Sequence, residues 1–329
     1  MTIIKAEHLS KSYEYYRKQP GMLATVVNFF RRETLFAEAV KDISFSINEG
    51  ELVGFLGPNG AGKTTTLKML SGIIEPSAGS LEVLGHLPAR REVPFQRMFS
   101  LVMGQKNQLI RQLPAADSFL LNKALYGLPD NEYKEHLQEL VDVFDAKDIL
   151  DIQVRKLSLG QRMKCEIIAS LIHKPKLLLL DEPTIGLDVV AQKSIRDFIK
   201  RYNEEKKTTI ILTSHYMQDI RELCKRVIII NLGQIMYDGS LEKLIDKYAP
   251  HKVLRLTFGR EVMPEALKQY GDIDSYESHS ASIKVLRNEA KSTAAKLLTS
   301  TLDISDIMID EENIDDIIRQ IFKRGNQAI

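Results

Sequence analysis

The segment Gly57-Pro58-Asn59-Gly60-Ala61-Gly62-Lys63-Thr64-Thr65 decides how this chain is read. It fits G-x-x-x-x-G-K-[ST], a loop whose backbone amides cradle phosphates. The apolar run Leu52-Val53-Gly54-Phe55-Leu56 before it reads as a buried strand, and Thr65 to Leu70 after it as a helix. Glycines let the loop turn tightly, so consecutive N–H groups converge on phosphate oxygens. The positive end of the helix dipole points to the same place. In such a loop Lys63 reaches the β- and γ-phosphates, and the Thr64 hydroxyl holds Mg²⁺. A chance glycine-rich turn would not bring strand, loop, Lys-Thr pair and helix into register.

Working outward, Leu177-Leu178-Leu179-Leu180-Asp181-Glu182 is an apolar strand ending in two acids. Asp181 can complete the metal site begun by Thr64, and Glu182 can orient or deprotonate an attacking water. Leu157-Ser158-Leu159-Gly160-Gln161 precedes a helix read from Arg162 towards His173. Its Ser and Gly offer a hydroxyl and N–H groups to an anion, or else simply cap the helix. Thr213-Ser214-His215 follows the strand Thr209 to Leu212, and a His there faces the ligand crevice of an open α/β sheet. Gln105 follows the strand Phe99 to Met103, within reach of a metal or water; alone it carries little signal.

The remaining pattern fills in the fold. Thr2 to Leu9 reads as an edge strand, Ala39 to Ile47 and Leu81 to Leu84 as further strands, and Val227 to Ile230 as a buried one. Residues 114–150 have helical spacing at Phe119, Leu120, Leu121, Leu137, Leu140, Val141 and Phe144. Buried strands alternating with helices imply an α/β layered fold with a mostly parallel sheet. Past the hairpin-like Asn231 to Gly239 the character changes, which places a boundary near residue 240. Beyond it come a helix, a strand Lys252 to Phe258, helical spacing over Pro264 to Tyr270 and a strand Ile283 to Leu286. A helix Ala290 to Leu298, a strand Ile307 to Ile309 and an amphipathic helix Ile314 to Phe322 complete it. That succession predicts a small ferredoxin-like α+β domain.

The bulk properties exclude several classes. Of 329 residues, 44% are hydrophobic and 27% charged, as in an ordinary globular protein. Charges nearly cancel, 45 basic against 44 acidic, which argues against a nucleic-acid-coating protein. Cys165 and Cys224 form no C-x-x-C pair and read as reduced, buried small residues. No apolar stretch has the length of a transmembrane helix, and the start resembles no secretory signal. The expectation is a chain on the cytosolic side, touching the membrane through a partner.

Together the motifs resemble those of the nucleotide-binding subunit of an ATP-binding cassette (ABC) transporter. Gly57–Thr65 matches the Walker A loop, and Leu177–Glu182 matches Walker B with its catalytic Glu. Leu157–Gln161 resembles the LSGGQ signature. Ile185-Gly186-Leu187-Asp188 matches the D-loop, His215 the switch histidine, and Gln105 the Q-loop glutamine, with Gln108 as the alternative. Tyr13 resembles the aromatic residue that stacks on adenine; Tyr15 and Tyr16 compete for that place. The resemblance covers roughly residues 1–240 and implies a P-loop NTPase of ABC ATPase fold. Its expected parts are a parallel-rich sheet, a helical subdomain and an N-terminal antiparallel β part, with residues 241–329 as an accessory α+β domain. Leu159 stands where the family pattern has Gly, and the segment between Tyr13 and Ala39 is longer than usual. Both features resemble the branch of daunorubicin-type and other drug or polysaccharide exporters.

The resemblance implies ATP and Mg²⁺ as cofactors. Gln105, Glu182 and His215 would act in catalysis, and Thr64, Gln105 and Asp181 would serve the metal. Tyr13, Gly57, Pro58, Asn59, Gly60, Ala61, Gly62, Lys63, Thr64, Thr65 and Asp181 would bind the nucleotide. Ser158, Gly160, Gln161 and Asp188 would join them. Two cassettes, copies of this chain or a homologous ATPase, would meet head to tail with the signature acting in trans. Permease subunits would dock by the Gln105 loop and residues 114–150, holding the chain peripherally on the cytoplasmic face of the membrane. The insertion at 14–35 carries Leu23, Val26, Val27 and Phe30 at helical spacing, for the domain's own sheet, the lipid surface or the membrane partner. An importer ATPase or a non-transport ABC ATPase is the alternative reading.

Overall fold

The computed structural model describes residues 1–16, 34–104, 106–214, 216–248 and 250–311. Gln105, His215, residues 17–33 of the insertion and the expected helix Ile314 to Phe322 lie outside the described residues. The chain divides into two compact units, Met1–Gly239 and Ser240–Ile329.

The first unit begins with β1 (Thr2–Tyr16), β2 (Thr34–Asn48), β3 (Leu52–Leu56), α1 (Lys63–Leu70), β4 (Ala78–Val83), α2 (Val93–Gln96) and β5 (Phe99–Met103). Three helices follow, α3 (Ala115–Tyr126), α4 (Asp130–Phe144) and α5 (Leu159–Leu171). Then come β6 (Leu177–Asp181), α6 (Val189–Lys206), β7 (Thr209–Thr213), α7 (Met217–Leu223), β8 (Arg226–Asn231) and β9 (Gln234–Ser240). The six-stranded sheet has the order β5-β6-β7-β3-β8-β9. The pairs β5–β6, β6–β7, β7–β3 and β3–β8 are all parallel. Leu177 to Leu180, Ile210 to Leu212 and Val227 to Ile230 are buried on both faces, which is why these strands read as unbroken apolar runs. Because β3 lies between β7 and β8, the glycine-rich loop leaves from the middle of the sheet. The carboxyl ends of β3, β6 and β7 open on one edge, where open α/β sheets bind ligands.

A second sheet, β2-β1-β4, is antiparallel. The expectation of an edge strand over Thr2 to Leu9 is corrected here: β1 is the middle strand. Alternation marks a half-buried strand but is blind to partners recruited from residues 34–48 and 78–83. Ile4, Leu9, Ile43 and Ile47 pack with Phe55, Met69 and Leu70 into the core. Helices also start earlier than expected, at Lys63 rather than Thr65 and at Leu159 rather than Arg162. In α3, Phe119 is buried while Leu120 and Leu121 are exposed. Cys165 and Cys224 are buried free thiols; burial pushes the first up to about 12 and the second upward too. Among the described residues no helix is long and apolar enough to cross a membrane.

The second unit contains α8 (Leu241–Tyr248), β10 (His251–Phe258), β11 (Asp272–Glu277), β12 (Ser280–Leu286), α9 (Ala290–Leu298) and β13 (Ile304–Glu311). Its sheet runs β11-β12-β10-β13 with every pair antiparallel, the ferredoxin-like order. The helix expected over Pro264 to Tyr270 is reduced to a single turn, Pro264–Ala266. Proline starts that turn, and the chain then enters β11, a strand the sequence reading lacked. Leu254, Leu256, Ile283 and Val285 alternate inward beneath Ala290, Ala294 and Leu297 of α9.

Candidate functional site

The loop between β3 and α1 owes its shape to three glycines. Gly60 and Gly62 adopt φ 79° and 111°, the left-handed region. A Cβ on Gly57 would collide with the Ile230 carbonyl, and one on Gly62 would stand 2.6 Å from Ala39 O. Gly62 is the N-cap of α1 and brings no capping side chain, so the first-turn amides are left for an anion. The buried Lys63 ammonium folds back over the loop, donating to Gly57 O at 2.6 Å and Pro58 O at 3.1 Å. Burial lowers its pKa, and the nearby Glu182 and Asp181 counter that push.

Beside it, the Thr64 hydroxyl donates to Asp181 Oδ2 at 2.9 Å, and the Thr213 hydroxyl donates to Asp181 Oδ1 at 2.7 Å. The Thr213 oxygen also accepts the Glu182 amide at 3.0 Å. The start of α1 and the ends of β6 and β7 thus deliver one residue each to a shared cluster. Thr64, Lys68, Met103, Gly104, Lys106, Asp181 and Glu182 line a recess of about 130 Å³. A hydroxyl and a carboxylate oxygen side by side are hard oxygen donors of the kind Mg²⁺ takes, with phosphates completing its shell. Glu182 itself has φ 57°, unusual for a residue with a Cβ. Such a conformation costs about 1–3 kcal/mol and persists only where neighbours hold it, as at sites of chemistry.

The signature begins α5. Ser158 caps the helix by accepting the Gln161 amide at 3.2 Å, and the Gln161 side chain accepts the Ser158 amide at 3.0 Å. This capping box commits the Gln161 side chain locally, whereas the sequence reading offered it to the nucleotide. A Cβ on Gly160 would lie 2.9 Å from Ala191 Cβ, and one on Gly186 would lie 3.1 Å from Leu159 Cδ2. The signature turn and the D-loop therefore pack on each other. Asp188, expected at the nucleotide, uses Oδ1 to accept the Ala191 amide at 2.9 Å as the N-cap of α6.

Tyr13 is exposed on β1, paired with Ala37, with Lys11 Nζ 5.4 Å from its ring centroid. Two residues on, Ala39 borders Gly62, so the same ladder runs past the loop. Tyr15 is exposed as well. Gln108 turns its side-chain amide back to Leu101 O, away from the role considered for it. Its backbone amide, at 3.0 and 3.1 Å, and that of Leu109, at 3.4 Å, donate to Glu166 of α5. Glu166 is buried, and burial raises its pKa against the pull of those amides. Neither Glu166 nor the buried acid Asp219 was singled out from sequence. Charged residues on amphipathic helices read as solvated faces.

Comparison with known proteins agrees with this geometry. The family described as "ABC transporter" matches residues 40–185, and "EvrA-like ABC transporter, C-terminal domain" matches residues 250–310. The ABC transporter ATP-binding protein NatA of Bacillus subtilis is 36% identical over 217 residues, 66% of this chain and 88% of NatA. The Nod factor export ATP-binding protein I of Cupriavidus metallidurans is 33% identical over 225 residues, 68% of this chain and 73% of that protein. A solved ATP-binding subunit of an ABC transporter is 26% identical and superposes with a TM-score of 0.61, covering 75% of this chain and 93% of that one. This chain belongs to the ABC transporter ATP-binding proteins, the subunits that bind and hydrolyse ATP.

Proposed function

We propose that this chain is the ATPase of an exporter. Two cassettes would close on two ATP molecules, and closure would drive transmembrane subunits between inward- and outward-facing states. The observation that carries the proposal is the Thr64–Asp181 pair, 2.9 Å apart, with Glu182 beside it over one recess. The loop amides and Lys63 bind and orient the β- and γ-phosphates. Thr64 and Asp181 would hold Mg²⁺, which when bound would supply positive charge to neutralise the phosphates. Glu182 takes the proton of the attacking water and Tyr13 stacks on adenine, while the family resemblance would give Gln105 and His215 their parts in catalysis. Ser158 and Gly160 present the start of α5 to the ATP held by the other cassette. ATP favours the closed pair because only that state carries the contact.

Export rather than import is supported by the relatives' names, Nod factor export among them, and by Leu159 in the signature. Docking of a membrane subunit is supported by a groove of about 640 Å³ lined by Arg91, Val93, Arg97, Leu125 and Tyr126 among others. Val93 and Leu125 are exposed apolar residues on its rim. On this reading the chain sits on the cytoplasmic face of the membrane through that partner, and residues 241–329 form an accessory domain.

The test is Glu182→Gln. It should bind ATP as the wild type does, hydrolyse it about 100-fold more slowly, and elute with ATP and Mg²⁺ at twice the monomer mass. Turnover near wild type would remove Glu182 from the chemistry. Co-purification of the tagged chain from detergent-solubilised cells with a polytopic membrane protein supports the transporter role. Recovery without one favours a non-transport ATPase.

A further inference from the structure

Behind the two acids of the recess lies a third, closed to solvent. Asp219, on α7, has no exposed surface. Its Oδ2 accepts the Thr184 hydroxyl at 2.5 Å and the Ser214 hydroxyl at 2.6 Å. Its Oδ1 accepts Arg196 Nη1 at 3.0 Å. Arg196, on α6, is also buried, and its Nε donates to Glu222 Oε2 at 2.9 Å. An interior carboxylate must be paired and hydrogen-bonded, and here three segments supply the donors. Burying such a pair yields little net stability over apolar packing of the same volume. What it supplies is fixed geometry.

Each donor belongs to a part of the nucleotide site. Thr184 lies two residues past Glu182, in the turn that begins at that residue's φ of 57°. Ser214 lies between Thr213, which bonds Asp181 and the Glu182 amide, and His215. Arg196 stands on the helix that Asp188 caps behind the D-loop. We propose that Asp219 and Arg196 are a positioning pair for hydrolysis, tying the Glu182 turn, the segment that carries His215 and the D-loop helix into one unit. The pair touches no nucleotide, so it sets kcat and leaves affinity alone. The inference rests on the reading of Glu182 as the base that activates water.

The experiment compares Asp219→Asn, Thr184→Val, Thr184→Ser and Glu182→Gln in the full chain with its transport partner. Asp219→Asn and Thr184→Val should each lower kcat by about tenfold, with KM for ATP and the affinity for ADP within about twofold of wild type. Thr184→Ser keeps the donor and should retain wild-type turnover. If Asp219→Asn does not fold, the Thr184 pair decides alone, since Val matches Thr in shape and lacks only the hydroxyl. Wild-type turnover in Thr184→Val overturns the proposal. So does loss of kcat in step with loss of affinity, or an equal loss in Thr184→Ser, either of which marks structural support only. Slow Glu182→Gln with normal Thr184→Val removes the positioning pair alone. Normal Glu182→Gln removes the reading beneath it.

Discussion

Gly104 packs directly on the carbonyl of Glu182: a Cβ at Gly104 would run into that oxygen, and Ile185 Cγ2 would lie 3.2 Å away. The Gly104 amide donates to Asp181 O at 2.8 Å. The turns after β5 and β6 therefore share a surface, and Gln105 follows a point fixed on the two acids. Gly104→Ala must push the Glu182 turn aside. It should cost about 1–3 kcal/mol of stability by overpacking, and it should lower kcat more than ATP affinity. Denaturant unfolding and steady-state kinetics on one preparation check both halves.

Lys63 is held over the loop by two carbonyls, those of Gly57 and Pro58. Lys63→Ala should reduce ATP affinity by about 100-fold, equivalent to about 3 kcal/mol. Calorimetric titration with a slowly hydrolysed ATP analogue would show it. Unchanged affinity would detach Lys63 from the nucleotide.

The Thr64 hydroxyl lies against Asp181 Oδ2. Thr64→Val removes one of two protein oxygens from that spot. The Mg²⁺ concentration giving half-maximal turnover should rise by about tenfold, with saturation still attainable. Turnover against free Mg²⁺ at fixed ATP reads this directly, and an unmoved curve counts against the metal assignment.

His173 predicts an acid-sensitive fold. Its ring stacks on Tyr126 with centroids 3.8 Å apart, Nε2 donates to Phe99 O at 3.2 Å, and Nδ1 has no partner. Burial pushes its pKa down to about 4 from an ordinary 6.5. The unfolded chain then takes up a proton that the folded chain refuses, so stability falls as pH drops from about 6.5 towards 4. Between pH 6.5 and 5 the wild type should lose roughly 1 to 2 kcal/mol more than His173→Gln, read from urea midpoints. Equal losses would show that His173 does not set the slope.

The glycine-rich loop, β6 with its two acids and the parallel strands were legible because each rests on contiguous residues. Leu177 to Leu180 need no partner to declare themselves buried. The position of β1 in its sheet was not legible, since it depends on pairing with Val40 and Glu82, which no local pattern encodes. Strand β11 hid among charges: in Asp272-Ile273-Asp274-Ser275-Tyr276-Glu277 only Ile273 and Tyr276 face the core. Pro264 to Tyr270 has helical spacing, but Gly271 and the following strand leave room for one turn. Within the site, the residues that carry a motif stood out, whereas Asp219, Arg196 and Glu166 did not. Apart from Ser214 beside Asp219, their partners lie 23 to 58 positions away.

The two sulfurs have a practical use. Cys165 and Cys224 are enclosed and held as neutral thiols, so the folded chain offers thiol reagents almost nothing to alkylate. A single cysteine placed on an exposed site such as Val190 would carry a fluorophore or spin label against a silent native background. Under the proposed function, two labelled chains would then report the approach of one cassette to another in real time. In the unlabelled protein, the slow appearance of modified sulfur would count how often the core opens.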